Sequence, residues 1–223
     1  MRKAIIFDMD GTLLDTLEDL YRSANAALLR YGFPERSKEE IRQFVGNGAV
    51  NLMRRAVPRG EENPHFTDCL LAFKEHYGVH LNDHTCAYEG VEELLKTLKA
   101  AGYPMAIVSN KPDFAVRELN RRYFGDVIKV AIGESESVRR KPAPDTVECA
   151  ARELGVELKD CIYVGDSEVD LKTAENCKIP CISVAWGFRG RQFLEDMGAR
   201  VVAERPQEVY EMIGLYYIDR CYT

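Results

Sequence analysis

The stretch that decides the fold is Ile5-Ile6-Phe7-Asp8-Met9-Asp10-Gly11-Thr12, a short apolar run that stops at two carboxylates one residue apart. A continuous apolar run of this length is typical of a buried strand in a parallel sheet. Two neighbouring anions repel each other and resist desolvation, so folding alone gives no reason to place Asp8 and Asp10 there. Mg²⁺ together with phosphate oxygens would offset that cost, and Gly11 would let the backbone turn close to such a ligand. The alternative is a strand followed by an ordinary Asp/Gly turn.

The composition excludes several classes of protein. The chain has 223 residues, 46% hydrophobic and 30% charged, which suits one large domain or a core with a smaller domain attached. Its net charge of −6 argues against nucleic acid or a membrane surface as a partner. Seven scattered cysteines without a Cys-x-x-Cys pair indicate reduced thiols, and we expect neither a signal peptide nor a membrane-spanning run. We therefore expect a cytoplasmic protein, and the sequence leaves open whether it is a monomer or a homodimer.

The periodicity of the apolar residues divides the chain into a core and an insert. From residue 15 to residue 84 the spacing is helical throughout. Beyond residue 85, amphipathic helices alternate with short apolar strands, at 104–108, 127–131, 161–164 and 180–184. This alternation predicts the α/β class, with a doubly wound parallel sheet. The expected domains are a Rossmann-like catalytic core of residues 1–14 and 85–223, and an inserted helical cap domain of residues 15–84.

Polar residues follow the predicted strands at one end of the sheet. In an open parallel sheet, ligands bind outside the carboxyl ends of the strands. There the sequence places four carboxylates, one ammonium group and two small hydrogen-bonding side chains: Asp8, Asp10, Ser109, Asn110, Lys141, Asp166 and Asp170. This set suits phosphoryl transfer, because positioning and positive charge stabilise its transition state. One carboxylate would act as nucleophile and a second as acid and base, while Mg²⁺ and Lys141 supplied the positive charge.

Four ordered motifs follow the predicted strands: Asp8-Met9-Asp10-Gly11-Thr12, Ser109-Asn110, Lys141-Pro142 and Gly165-Asp166-Ser167-Glu168-Val169-Asp170. They resemble those of the haloacid dehalogenase superfamily, and the resemblance covers nearly the whole chain. The helical insert after the first strand is similar to a cap of this superfamily, and the chain most resembles phosphoglycolate phosphatase-like members. The resemblance implies a Mg²⁺-dependent phosphatase that acts on a small phosphorylated metabolite, with 2-phosphoglycolate as the first candidate, through an aspartyl-phosphate intermediate.

The resemblance also implies roles for the charged residues. Asp8 would be the nucleophile and a ligand of Mg²⁺, and Asp10 the general acid and base with its backbone carbonyl on the metal. Lys141 would pair with Asp8 and with the phosphoryl group. Asp166 would bind the metal. Asp170 would complete the metal site, hold a metal-bound water or orient Lys141, although a carboxylate in a first helical turn is also stabilised by the helix dipole alone.

Three further residues are expected at the phosphate-binding position. The resemblance places the transferring phosphoryl oxygens on Ser109 and on the backbone of Asn110. Thr12 would support Asp10 or orient the turn that follows it. The alternative for Ser109 and Asn110 is that they simply end a strand.

Other activities stay open as alternatives. The second acid, Asp10, argues against the dehalogenase branch, where the resemblance predicts none. Sugar phosphomutases share both aspartates, but we would expect a Ser-Arg pair in place of Gly46-Asn47-Gly48-Ala49, and that branch usually lacks Asn110-Lys111. A pyrophosphatase, a nucleotidase and a catalytically silent phosphate-binding module are further alternatives. The glycine turn at 46–48 is either a substrate loop or an ordinary connection between helices.

The spacing of three histidines in the insert suggests a zinc site as a second hypothesis. His76, His80 and His84 are spaced by four residues, which would place their imidazoles on one face of a helix. Gly78 and the Asn82-Asp83 pair are expected to break that helix. We therefore predict no zinc site there.

Overall fold

Strands and helices alternate along most of the chain. The computed structural model describes residues 3–218. Its strands are β1 (Ala4–Phe7), β2 (Leu14–Asp15), β3 (Cys86–Ala87), β4 (Met105–Pro112), β5 (Val130–Glu134), β6 (Cys161–Gly165), β7 (Cys181–Val184) and β8 (Val202–Ala203). Its α-helices are α1 (Leu17–Arg30), α2 (Lys38–Phe44), α3 (Gly48–Ala56), α4 (Phe66–His80), α5 (Val91–Ala100), α6 (Asp113–Tyr123), α7 (Asp145–Leu154), α8 (Glu168–Cys177), α9 (Arg191–Asp196) and α10 (Pro206–Ile218).

The chain divides into two compact units. The first, the core unit, consists of Met1–Leu13 and Ala87–Thr223, and it holds the six-stranded sheet with α5 to α10. The second, the helical unit, consists of Leu14–Cys86 and holds α1 to α4. In sequence, the helical unit separates β1 from β4, the next strand of the sheet. Between residues 3 and 218, every helix is too short or too polar to span a membrane.

The sheet of the core unit is built outward from β1. Its order is β5-β4-β1-β6-β7-β8, and each described pair of neighbours is parallel. At the centre, Ile5 of β1 pairs with Met105 of β4 on one side and with Ile162 of β6 on the other. The chain fills one side of β1 as far as β5 and then the other side from β6 to β8. The predicted α/β class, with a doubly wound parallel sheet, is confirmed.

Burial on both faces explains why β1 is apolar throughout. Ala4 and Ile6 belong to the core cluster that includes residues of α7 and α8. Ile5 and Phe7 point to the opposite face, because side chains alternate along a strand, and they are fully buried as well. The first polar side chain, Asp8, therefore comes where β1 leaves the sheet.

Polar contacts fix the connections of the helical unit. A capping box begins α2, because the backbone N–H of Glu40 donates to Ser37 Oγ (3.1 Å) and that of Ser37 donates to Glu40 Oε2 (2.7 Å). Asp19 of α1 is buried, and its carboxylate accepts the backbone N–H of His84 (3.0 Å) and that of Thr85 (2.8 Å). The Thr85 hydroxyl donates to the same carboxylate at 2.8 Å. Asp19 thus ties the segment before β3 to α1.

The third strand predicted for the core was misplaced by three residues. The sequence suggested a strand over 127–131, but β5 runs from Val130 to Glu134. The backbone N–H groups of Val127 and Ile128 both donate to the carbonyl of Phe124, at 2.8 Å each. These two residues therefore belong to the turn that ends α6, and the apolar run alone did not reveal that boundary.

The prediction that Gly78 would break its helix is wrong. α4 continues through Gly78 and ends at His80. A glycine inside a helix costs only about 1 kcal/mol relative to alanine. The packed face of α4, with Phe73 and Tyr77 buried, outweighs that cost.

Candidate active site

Lys141 joins two aspartates that are distant in sequence. Its Nζ donates to Asp8 Oδ1 and to Asp170 Oδ1, at 2.7 Å in both cases. Asp8 follows β1, and Asp170 lies in the first turn of α8, after β6. All three side chains are at least nine-tenths buried. The fold therefore brings Asp8, which is the predicted nucleophile, into direct contact with the predicted ammonium group, and that group into contact with the further predicted carboxylate Asp170.

The side chain of Asn110 positions Lys141 through the backbone. The N–H of Lys141 donates to Asn110 Oδ1 (2.6 Å), and Asn110 Nδ2 donates to the carbonyl of Lys141 (3.0 Å). This pair of bonds fixes the loop that follows β5, so that the lysine enters the site from a defined point. The phosphate-binding role predicted for Asn110 concerns its backbone, and it stays a prediction.

Two glycines leave room for Asp166, which follows β6. One oxygen, Oδ2, accepts the backbone N–H of Phe188 at 2.7 Å. A Cβ atom on Gly11 would lie 2.2 Å from Asp166 Oδ2, and a Cβ atom on Gly187 would lie 2.4 Å from Asp166 Cβ. Gly11 also has a φ of +88°, which a residue with a side chain rarely adopts. No larger residue fits at either position unless Asp166 moves.

Asp10 has a cationic partner that sequence reasoning missed. Lys111 Nζ lies 3.0 Å from Asp10 Oδ1, and the hydroxyl of Ser109 donates to Asp10 Oδ2 at 3.1 Å. The Lys111 side chain is only 5% exposed. The structure assigns both partners to β4, which continues past its predicted end to Pro112. Residues two apart in a strand share one side, so the spacing of Ser109 and Lys111 was a usable signal.

The carboxylate of Asp170 has its acceptor positions filled. An ionised carboxylate offers about four lone-pair sites. Oδ1 receives Lys141 Nζ and the Tyr163 hydroxyl (2.9 Å), and Oδ2 receives the backbone N–H (3.1 Å) and the hydroxyl (2.6 Å) of Ser167. This arrangement favours the predicted role of orienting Lys141 over that of a direct metal ligand. Sequence reasoning did not identify Tyr163 as part of the site, and it named Ser167 only as a member of the fourth motif, without a role.

Thr12 makes no hydrogen bond through its side chain among the described residues. Its Oγ1 is buried and lacks a partner there, while its carbonyl accepts the Trp186 indole N–H at 3.0 Å. The structure therefore places no direct bond from the Thr12 hydroxyl to Asp10. The phosphate-binding role predicted for Thr12 stays a prediction.

A family model described as haloacid dehalogenase-like hydrolase matches residues 5–184. The chain belongs to this family. The match spans the four motifs and the helical unit inserted among them, so the predicted resemblance and the prediction of a hydrolase are confirmed.

Several relatives of this hydrolase carry the same name. Phosphoglycolate phosphatase 1 of Pseudomonas aeruginosa is 33% identical, in an alignment that covers 90% of this chain and 76% of the relative. A phosphoglycolate phosphatase of Xanthomonas campestris pv. campestris is 31% identical, over 94% of this chain and 95% of the relative. These relatives confirm the resemblance to phosphoglycolate phosphatase-like members of the family.

Solved structures share the fold over nearly the full length. An inferred phosphoglycolate phosphatase from Lactobacillus delbrueckii subsp. bulgaricus superimposes with a TM-score of 0.90 at 35% identity, covering 96% of this chain and 99% of the other. CbbY from Rhodobacter sphaeroides, solved in complex with phosphate, has a TM-score of 0.76 at 25% identity, covering 94% and 96%.

The hydrolase concentrates negative charge where β1 and β6 end. Ligand atoms of Asp8, Asp166 and Asp170 all lie within 4.8 Å of one another, and the three residues are buried. Burial raises the pKa of Asp8 to about 7, with Asp170 and Asp10 adding to the rise and Lys141 opposing it. Burial and the charges of Asp170 and Asp8 raise the pKa of Asp166 as well.

One ammonium group does not balance these carboxylates. Burial alone would lower the pKa of Lys141, but the charges of Asp170 and Asp8 outweigh it, so the pKa is raised and the side chain is cationic. When all three carboxylates are ionised, the charge of Lys141 balances only one of the three negative charges. An all-oxygen donor set of this kind fits a hard divalent cation, which Asp8 and Asp166 would bind through acceptor positions other than those that receive Lys141 Nζ and the Phe188 N–H.

Proposed function

We propose that this hydrolase cleaves a small phosphomonoester, with 2-phosphoglycolate as the first substrate to test. Family membership and the phosphatase names of relatives at 31–33% identity support a phosphoric monoester hydrolase. The single observation that carries the proposal is the contact of Lys141 with Asp8. It pairs a buried carboxylate with a fixed cation at the carboxyl end of a parallel strand, where this fold binds ligands.

In the first step Asp8 is the nucleophile. Its oxygen attacks phosphorus while the bond from phosphorus to the leaving oxygen breaks, and Asp10 gives its proton to that oxygen. In the second step water attacks the aspartyl-phosphate, its proton passes to Asp10, and the bond from phosphorus to Asp8 breaks. Phosphate leaves, and both side chains return to their starting forms.

Positive charge makes this chemistry accessible in an acidic site. Lys141 keeps Oδ1 of Asp8 bound, which leaves Oδ2 for the attack, and it neutralises part of the phosphoryl charge. Ser109 and the backbone of Asn110 would hold the equatorial oxygens. We assign Mg²⁺ to Asp8, Asp166 and the Asp10 carbonyl; when bound, it supplies Lewis-acid stabilisation of the developing charge.

The position of Asp10 implies a rearrangement before proton transfer. Its two oxygens are engaged with Lys111 and with Ser109. To reach a leaving oxygen, Asp10 must exchange one of these contacts for the substrate. Lys111 therefore holds the acid in place between turnovers, and substrate binding releases it.

The decisive experiment replaces the nucleophile. Asp8→Asn keeps the side-chain shape but removes the attacking charge, so turnover of 2-phosphoglycolate with Mg²⁺ should fall by at least about 10⁴-fold. Asp196→Asn, an exposed residue of α9, is the matched control and should keep full activity. Ordinary activity of Asp8→Asn would reject the nucleophile.

The same assay separates the competing functions. A panel of a nucleoside monophosphate, pyrophosphate, a sugar phosphate and an aryl phosphate tests the nucleotidase, pyrophosphatase and mutase alternatives, with sugar phosphate isomerisation as the mutase readout. Complete inactivity on every compound, combined with phosphate binding, would favour the silent module.

We further propose that the helical unit acts as a cap that selects the substrate, and that the protein works in the cytoplasm as a monomer or homodimer.

A further inference from the structure

The helical unit holds a histidine pair that the proposed reaction does not use. Since α4 runs without a break to His80, His76 and His80 lie one turn apart on the same face. Their ring centroids are 4.3 Å apart, with an angle of 31° between the planes. Both residues are partly exposed, and the side chain of His80 keeps 45% of its surface accessible.

Hydrogen bonds to Nδ1 orient both rings. His80 Nδ1 lies 2.7 Å from Asp83 Oδ2. Because an ionised carboxylate only accepts, this contact puts the proton of a neutral His80 on Nδ1 and leaves the lone pair on Nε2. His76 Nδ1 lies 3.0 Å from the hydroxyl of Ser23, which can accept a proton from it in the same way.

This pattern is the one that metal-binding histidines show. A ligating imidazole nearly always donates its other ring N–H to a carboxylate, a carbonyl or another oxygen, which fixes the tautomer and the ring direction. Imidazole nitrogens suit Zn²⁺, Cu²⁺ and Ni²⁺, whereas an all-carboxylate site suits Mg²⁺.

We propose that His76 and His80 form an accessory site for a divalent transition-metal ion, bound by their Nε2 atoms and completed by water. Asp83 and Ser23 are positioning residues that hold the two rings. Within residues 3–218 the only cluster of three or more ligand side chains is the carboxylate cluster Asp8, Asp166 and Asp170, so the histidine site has two protein ligands. Binding would cross-link the last turn of α4 and favour the folded helical unit.

The chain offers a site-specific measurement, because it contains only four histidines. The full-length, reduced protein is first saturated with Mg²⁺ to fill the carboxylate cluster, and the ring C–H signals of the histidines are then followed by NMR as Zn²⁺ is added. The signals of His76 and His80 should shift together and saturate. Those of His65 and His84 should not follow the same curve, because neither belongs to the pair.

Substitutions of the proposed ligands and their partners test the metal site through changes in Zn²⁺ affinity. By calorimetry with Zn²⁺, His80→Ala should remove the saturable site, and Asp83→Asn should weaken it by about tenfold, as loss of an orienting partner does elsewhere. His84→Ala is the matched control and should bind like the wild type. Equal Zn²⁺ binding by His80→Ala and the wild type, or unshifted signals of His76 and His80 at millimolar Zn²⁺, would overturn the site.

Discussion

The two units bury charge in different ways. In the helical unit, Asp19 is a buried carboxylate surrounded by three donors of the chain itself, while ion pairs such as Arg54–Glu61 lie at the surface with about half of each side chain exposed. In the core unit, Asp8, Asp166 and Asp170 are buried together beside one lysine.

The difference separates structural charge from functional charge. A buried anion is tolerated when hydrogen-bond donors satisfy it, as at Asp19, and the contacts then stabilise the fold. Burial raises the pKa of Asp8 and of Asp166, and the charges of the neighbouring carboxylates raise them further, so the ionised forms of both side chains are disfavoured. The core unit therefore keeps an arrangement that stability does not favour, which is what a site for a cation and a phosphoryl group requires.

Among the variants that test this contrast between the two units, the largest effect is expected from removal of the cation in the core unit. Lys141→Met should lower phosphatase activity by about 10³-fold, as loss of a charge-stabilising donor does in other sites. It should also lower the free energy of unfolding by about 3 kcal/mol, because Asp8 and Asp170 lose their shared partner. Steady-state kinetics and urea unfolding measure the two losses.

The matched control for Lys141→Met is an exposed lysine of α8, the helix that also carries Asp170. Lys172 of α8 is 56% exposed and pairs with Glu175 at the surface. Lys172→Met should change the free energy of unfolding by less than about 0.5 kcal/mol and leave turnover intact. If the two variants behaved alike, the contrast between buried and exposed charge would fail.

A smaller effect of a different kind is expected in the helical unit. Asp19→Ala removes the acceptor of the His84 and Thr85 N–H groups, so the free energy of unfolding should fall by about 2 kcal/mol. Turnover per folded molecule should stay close to that of the wild type. Thermal unfolding and kinetics at a temperature where the variant is folded test this, with the exposed Asp68→Ala as control. A loss of turnover as large as that of Lys141→Met would mean that Asp19 belongs to the site.

The sheet and the meeting of its strand-end residues could be predicted because both follow from general rules. Side chains after parallel strands share one edge, so Asp8, Lys141 and Asp166 were expected together although they are far apart in sequence. Their individual contacts could not be predicted. That Asn110 clamps the backbone of Lys141 depends on the path of one loop, and no pattern of residue types encodes it.

The predictions that failed depended on local competition between weak signals. Val127 and Ile128 have strand-forming side chains, but their N–H groups complete the turn after α6. Gly78 is a poor helix residue, but the packing of α4 decides its conformation. Lys111 was considered only as part of the Asn110-Lys111 pair and not as a partner of Asp10. The strand was predicted to end at residue 108, so the side of β4 that Ser109 and Lys111 share was not considered.

The smallest expected effect is a pH dependence of Mg²⁺ binding that belongs to the core unit. The pKa of Asp8 is about 7 in the folded, metal-free protein, compared with 3.8 for an ordinary aspartate. Between these two pH values the folded state therefore binds a proton on Asp8 that the unfolded state has lost. The stability that this proton provides is present below pH 3.8 and is lost as the pH rises through about 7.

Mg²⁺ must displace this proton from Asp8, so the affinity of the protein for Mg²⁺ should fall by about tenfold for each pH unit below 7. Melting temperatures across a Mg²⁺ titration at about pH 6 and about pH 8 measure the change. Asp19→Ala should keep this slope and Asp8→Asn should reduce it, whereas equal affinity at both pH values would show that Asp8 does not hold the ion.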